Sequence, residues 1–369
     1  MVNGISSNCL SLCMTYCYIT ISSPWKLISA SIIHLIKTYM ASSVPINSVA
    51  LLISVLFYGI YLDTAADFVA ASELDFQTLR ESGWWSTYYM TSGYSSNPCM
   101  CYGITCNDDA SVTKIYLYHD VVLGSTLNLN FASLTNLTFL VLVGAGLRGS
   151  IPPEIGILSK LTYLDLSYNN LTGEFPDHSL RNLTRLDLLD ISKNRISGCI
   201  PPVLGDLLKL TYLDLSYNSL TGSIPSDIAQ LTNQRTLILS HNNLKGSIPI
   251  GLGSCTNLKH LSLSNYSLTG SIPRQIGYIR SIKSIGLSHN FLSGEIPYEL
   301  WSLPYLDLLD LSYNNLTGKI PDGYWNRTSL ALIGNKNLCD NFKGISPCLA
   351  TSPAKSTKYQ FLFPLPSSS

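Results

Sequence analysis

The chain is poor in charge. Only 12% of its 369 residues are Asp, Glu, Lys or Arg, and 23 acids balance 23 bases, where an average domain carries roughly 25% charged residues. No run of Lys and Arg forms a basic stripe along the sequence, which argues against nucleic acid as a partner. Long apolar runs are also missing. Val49 to Leu62 is too short to cross a bilayer, and Phe361 to Leu365 is far shorter. Kinase signatures are absent: there is no Gly-rich loop with a strand Lys, no His-Arg-Asp and no Asp-Phe-Gly. Gly144-Ala-Gly-Leu-Arg-Gly149 has dinucleotide-loop spacing, but Ile151-Pro-Pro153 follows where that loop needs a helix. Cys99 and Cys101 have no His or further ligand nearby to make a zinc site. Neither cofactor nor metal is expected, and neither is catalysis.

What the chain has instead is a repeat. The stretch Leu158-Ser-Lys-Leu-Thr-Tyr-Leu-Asp-Leu-Ser-Tyr-Asn-Asn-Leu-Thr-Gly-Glu-Phe-Pro176 returns in register on Asn169, Asn194, Asn218, Asn242, Asn290 and Asn314. Degenerate copies put Asp120, Ala145 and Tyr266 in the same slot. A fixed period of this size dictates the architecture before any local reading. Leucines three, five, eight and eleven residues before the Asn alternate as on a short strand with one buried face. One repeat cannot form a core alone. A buried Leu contributes about 1.5–3 kcal/mol, while ordering each residue costs roughly 1.5 kcal/mol. Stacking closes that gap, because each neighbour covers the other's open face. The Asn supplies both donors and an acceptor for backbone groups left inside the turn, so the six form an expected ladder, weak at Ala145 and Tyr266. The following Leu-x-Gly-x-Ile-Pro segment places a tight bend and then a residue without an N–H, so the outer side is expected to hold short extended pieces and turns.

This repeat resembles the plant-specific leucine-rich repeat, whose Leu-Thr-Gly-x-Ile-Pro segment marks extracellular receptor kinases and receptor-like proteins. The resemblance runs from about Glu73 to Cys348. It implies an α/β-type solenoid: a right-handed leucine-rich-repeat superhelix with a parallel β-sheet on its concave face and disulfide-stapled N- and C-terminal caps. Cys99 to Cys106 is similar to the family's N-terminal cap, with Cys101 where a Trp is usual, and Gly334-Asn-Lys-Asn-Leu-Cys339 with Cys348 is similar to its C-terminal cap. The pairs implied are Cys99 with Cys106 and Cys339 with Cys348, leaving Cys199 and Cys255 in different repeats.

The expected organisation is an unexplained extension at 1–39, a secretory signal at 40–71 and an N-terminal cap at 72–111. About nine repeats follow at 112–326, then a C-terminal cap at 327–348 and a Ser- and Pro-rich tail at 349–369. A short helix is expected from Ser72 to Glu81, with Leu74, Phe76 and Leu79 on its apolar side. Sequons at Asn136, Asn170, Asn182, Asn265, Asn315 and Asn326 agree with glycosylation on the secretory route. The location expected is the apoplast or cell surface, or the plasma membrane for a fragment of an anchored receptor.

One face is chemically distinct. The residue before each ladder Asn is Tyr168, Lys193, Tyr217, His241, His289 or Tyr313, after His119 in the first copy. Beside that column run Phe139, Tyr163, Tyr212 and His260, and Asp165, Asp190 and Asp214 fall on adjacent strands. Stacked carboxylates could hold a cation or act as an acid/base pair, but Leu-Asp-Leu-Ser is common in the resembled family and no nucleophile accompanies them. Tyr and His offer contact area at low entropic cost. In the resembled family such ectodomains bind peptides and partner ectodomains, so a peptide or protein ligand, or a co-receptor, is expected on this face. The alternative is a secreted inhibitor of cell-wall-degrading enzymes, which uses the same repeat.

Overall fold

Strands of three to six residues recur once per repeat and pair in chain order. They are seen in a computed structural model that describes residues 98–118, 126–265, 267–320 and 329–339, with Leu74, Asp75, Gln77, Thr78, Leu79, Glu81 and Ser82. The chain divides into two compact units, Met1–Val69 and Ala70–Ser369, and every described residue lies in the second. The expected signal, the extension before it, the tail, Cys348, and positions 119, 120, 266 and 326 lie outside the described residues.

Eleven strands form one sheet, from Ile104–Cys106 and Val112–Leu117 through Phe139–Leu142 and Tyr163–Asp165 to Leu308–Asp310 and Ser329–Ala331. The first pair is antiparallel and the rest are parallel. Register puts Ile115, Leu140, Leu164, Leu189, Leu213, Leu237, Leu261, Ile285, Leu309 and Leu330 side by side. The first nine of these are buried, and they join one continuous core with the leucines of the other inward slots, such as Leu158, Leu161 and Leu166. This is the stacked interior that the repeat requires.

The outer side is more regular than extended pieces. Five-residue 3-10 turns occupy Pro153–Ile157, Pro202–Asp206, Ser226–Gln230, Ile250–Ser254 and Arg274–Tyr278, and four-residue helices occupy Asp177–Leu180 and Tyr298–Trp301. Each follows the repeat's Pro, whose fixed φ suits the entry to such a turn. These turns lie close together: a Cβ on Gly205 would come 2.3 Å from the Asp227 carbonyl oxygen of the next repeat. The Leu-x-Gly segments form a second, minor ladder along one flank, as in Ser293–Glu295 beside Asn315–Lys319.

The Asn ladder has the same geometry at each position. Asn194 Nδ2 donates to the Leu166 carbonyl of the preceding repeat at 2.9 Å, and its Oδ1 accepts the Leu171 N–H at 2.9 Å. Asn169, Asn218, Asn242, Asn290 and Asn314 repeat both bonds. Asn335 joins them, with Nδ2 on Leu311 O and Oδ1 accepting Leu316 N–H. The stack therefore continues past 326 into the stretch expected as a cap. Its spacing of 21 from Asn314 hid it from the 24-residue register.

At the other end Cys99 is bonded to Cys106, with their Cα atoms 5.6 Å apart. Cys101 is free, and burial pushes its thiol up. Cys339 is also disulfide-bonded. Leu79 is buried as expected, but Leu74 is exposed. Asp75 accepts the Val112 N–H at 2.8 Å, at the start of that strand. Cys199 is exposed and free, and Cys255 is free in a core slot where burial pushes its thiol up to about 11.

One core slot holds the wrong chemistry. Gln234 stands where other repeats have Leu210 and Leu258; it is buried, and its Oε1 has no hydrogen-bond partner. Gln234→Leu should stabilise the fold by about 1–3 kcal/mol, and Asn194→Ala should destabilise it by a similar amount by orphaning Leu171 N–H and removing one of the two amide donors to Leu166 C=O. Urea unfolding midpoints with an unchanged slope would check both.

Candidate recognition surface

The residue before each ladder Asn is held at positive φ: Tyr168 at 59°, Lys193 at 54°, Tyr217 at 53°, His241 at 59°, Asn265 at 60°, His289 at 55° and Tyr313 at 54°. The turn needs the left-handed region there, where Gly or Asn is the low-cost choice. Bulky residues at such positions cost on the order of 1 kcal/mol each, yet six of the seven carry a ring or a long cationic chain. The cost is offset by their mutual contacts. Lys193 Nζ donates to Tyr168 Oη and lies 3.9 Å from the centre of that ring and 5.6 Å from that of Tyr217. Tyr217 stacks on His241 at 4.0 Å, and Asn265 Nδ2 lies 3.2 Å from His241 Nε2. Further along, His289 stacks on Tyr313 at 4.3 Å. The result is a ribbon of rings and one cation crossing the edge of the concave sheet.

Tyr163, Tyr212 and His260 share a second column, in register with Leu188 and Thr236. Phe139 extends it, stacked on Tyr163 at 5.5 Å. His260 Nδ1 is 2.9 Å from Ser284 Oγ. From Thr236 onward the column runs Thr236, His260, Ser284, Leu308 and Ser329, with one ring where the first half has three. Asn265, read from the sequence only as a sequon, was missed as a member of the ribbon. The signal was its place one residue before slot 266, where Tyr stands instead of Asn. A glycan on it would stand on the ribbon itself.

Asp165, Asp190 and Asp214 are in direct register. Each Oδ1 accepts the N–H two residues on, from Ser167, Ser192 and Ser216, at 2.8–3.0 Å. Asp310 does the same with Ser312 at 3.0 Å. These carboxylates are turn-formers first. Burial, then Asp214 and Asp165, push Asp190 up to about 7. Burial also raises Asp165 and Asp214, while Lys193 and the Tyr212 hydroxyl act in the opposite sense on Asp214. Burial and these carboxylates raise Tyr212. His241 and His260 are pushed down, first by burial.

The comparisons with known proteins agree with this geometry. Leucine-rich-repeat family models match residues 149–196, 189–244, 235–255, 257–279, 281–303 and 305–326. Residues 149–326 are leucine-rich repeats. Over 81 residues, 22% of the chain, it is 43% identical to the leucine-rich repeat receptor-like serine/threonine-protein kinase RGI4 of Arabidopsis thaliana, and over 96 residues it is 36% identical to the receptor-like protein kinase HAIKU2 of the same plant. These matches span only 7% and 10% of those relatives. Among solved structures, the ectodomain of the Arabidopsis receptor kinase GASSHO1/SCHENGEN3, in complex with CASPARIAN STRIP INTEGRITY FACTOR 2, superposes with TM-score 0.60 at 30% identity, over 72% of this chain and 37% of that one. The HAESA ectodomain with an IDA peptide hormone gives 0.57 at 28%, over 73% and 53%. A plant ice-binding protein gives 0.61 at 27%, over 75% and 98%. Among the described residues no helix is long and apolar enough to cross a membrane.

The Asp190 carboxyl yields a test with a definite sign. Its folded value is raised, so the folded protein holds that proton more tightly than the unfolded chain does. Its contribution to stability is complete below the ordinary carboxylate range and is lost as pH rises through about 7. Asp190→Asn keeps the acceptor for Ser192 and should raise stability at pH 8 by on the order of 1–2 kcal/mol, with little effect at pH 4. Thermal unfolding of both proteins at the two pH values measures it.

Proposed function

We propose that this protein is an extracellular recognition module at the plant cell surface, and that it binds an extended peptide or a partner ectodomain along its concave face. The observation that carries the reading is the ribbon Tyr168–Lys193–Tyr217–His241, in which each side chain touches the next although its backbone conformation disfavours it. Pre-positioned rings lose little freedom on contact, so an extended partner gains area without a large ordering cost. The ectodomains of GASSHO1/SCHENGEN3, solved with CASPARIAN STRIP INTEGRITY FACTOR 2, and of HAESA, solved with an IDA peptide hormone, support the same use. Recognition here is by shape, stacking and hydrogen bonding.

A second reading draws on the plant ice-binding protein, whose length this chain covers almost fully. The flank hydroxyls Ser197, Thr221, Thr269 and Ser293 repeat one geometry, each donating to the carbonyl of a repeat Gly. Thermal hysteresis of a freezing solution would reveal it.

The first reading is tested by titrating the secreted protein with the IDA peptide and with CASPARIAN STRIP INTEGRITY FACTOR 2 by calorimetry. Binding of one of them, weakened about tenfold or more by Tyr217→Ala with His241→Ala, is expected. Binding of neither, or binding indifferent to these changes, contradicts the reading.

A further inference from the structure

The low overall charge conceals a local excess that no run of residues displays. Lys160, Arg185 and Lys209 occupy one slot in three successive repeats, three residues before the strand. Arg235, Lys259 and Lys283 occupy the residue just before the strand in the next three. The backbone holds the second set in direct contact: Arg235 N–H donates to Thr211 O, Lys259 N–H to Arg235 O and Lys283 N–H to Lys259 O, at 2.7–2.8 Å. Together the six make a diagonal basic row across six consecutive repeats, about 24 Å long at the strand spacing of ~4.8 Å. No run along the sequence shows this row, because the cations are about 24 residues apart and adjacent only after stacking.

Like charges side by side on neighbouring strands are destabilising, and this row is not neutralised from within. The one ion pair among the described residues is Arg181 with Asp206, outside the row. Two acids border it: Asp187, whose Oδ1 accepts the Thr211 hydroxyl at 2.7 Å, and Asp307, in the slot after Lys283, whose N–H donates to Lys283 O at 2.7 Å. Arg185, Lys209, Arg235 and the Asp187 carboxylate line a shallow hollow of about 350 Å³ with Thr211, Asn233 and Asn257, whose side chains also bond to Asp187, Leu208 O and Thr232 O in turn. The effect of the row reaches the concave edge, where Lys283 and Lys259 add to burial in holding His260 down.

We propose that this flank binds an acidic polysaccharide of the polyuronide class, independently of the concave ribbon. The row offers a cation every ~4.8 Å, and a uronic-acid chain carries one carboxylate per sugar. The neutral Thr and Asn groups suit its ring hydroxyls. An extended acidic peptide fits less well, because its same-side carboxylates recur every ~6.6 Å, out of step with the strands. Single-stranded nucleic acid would want aromatic platforms, and the row has none.

The test uses the secreted full-length protein and oligogalacturonate, with binding followed by calorimetry. Binding is expected to weaken at least tenfold in Arg235→Gln/Lys259→Gln/Lys283→Gln, to weaken as salt rises from about 0.05 to about 0.3 M, and to vanish for the methyl-esterified oligomer. Tyr217→Ala with His241→Ala should leave it unchanged, which separates this surface from the peptide-binding reading. Equal affinity for the esterified oligomer, or no loss in the triple variant, overturns the proposal. So does tighter binding of poly-glutamate or of single-stranded DNA under the same conditions. A matching circular dichroism melt for wild type and triple variant ensures that the loss is read on folded protein.

Discussion

A coil of about two dozen residues that buries only half a dozen apolar side chains cannot hold itself together. Everything else in the molecule answers that constraint. The leucines at four inward slots meet their counterparts one repeat away, so the core is a column that every coil shares. The ladder Asn settles the polar side of the same problem: at seven positions its amide bonds both a carbonyl and an N–H of the preceding coil. The Gly residues on the outer side, typified by Gly205, let the coils approach closely enough for both to work.

Periodicity also organises the surface. Fixing the interior in register fixes every exposed slot in register, so any residue type repeated at one slot becomes a physical row. The ladder turn forces a left-handed backbone on the residue before each Asn, and that residue projects from the concave edge. Tyr168, Lys193, Tyr217 and His241 touch one another in sequence order, and His289 touches Tyr313. The Asp row is the same effect with opposite consequences: three carboxylates are brought together by stacking, and burial with mutual repulsion holds Asp190 up to about 7.

Much of this was legible in the sequence because it depends on spacing alone. The strand positions, the inward leucines, the ladder and the adjacency of Asp165, Asp190 and Asp214 all follow from aligning copies on Asn169. What was not legible depends on departures from the period or on backbone conformation. Asn335 sits 21 residues after Asn314 and so escaped the count. Leu74 belongs to an apolar pattern but faces solvent, and no spacing announces the bond between Asp75 and the first repeat's strand. The 3-10 turns arise from tight outer stacking, which a reading of Gly and Pro alone describes only as irregular. The basic flank was hidden for the opposite reason: its residues follow the period, but they change slot between Lys209 and Arg235.

The central claim is that no coil is stable by itself and that stability passes through the shared leucine column. Native-state hydrogen exchange on a Leu213→Ala protein tests this most directly, since that change opens a cavity worth about 2–5 kcal/mol in the middle of the stack. Loss of amide protection should spread from residues 212–214 to the neighbouring strands at 188–190 and 236–238, and fade with distance. Loss confined to the mutated coil, with both neighbours as protected as in the wild type, would contradict it.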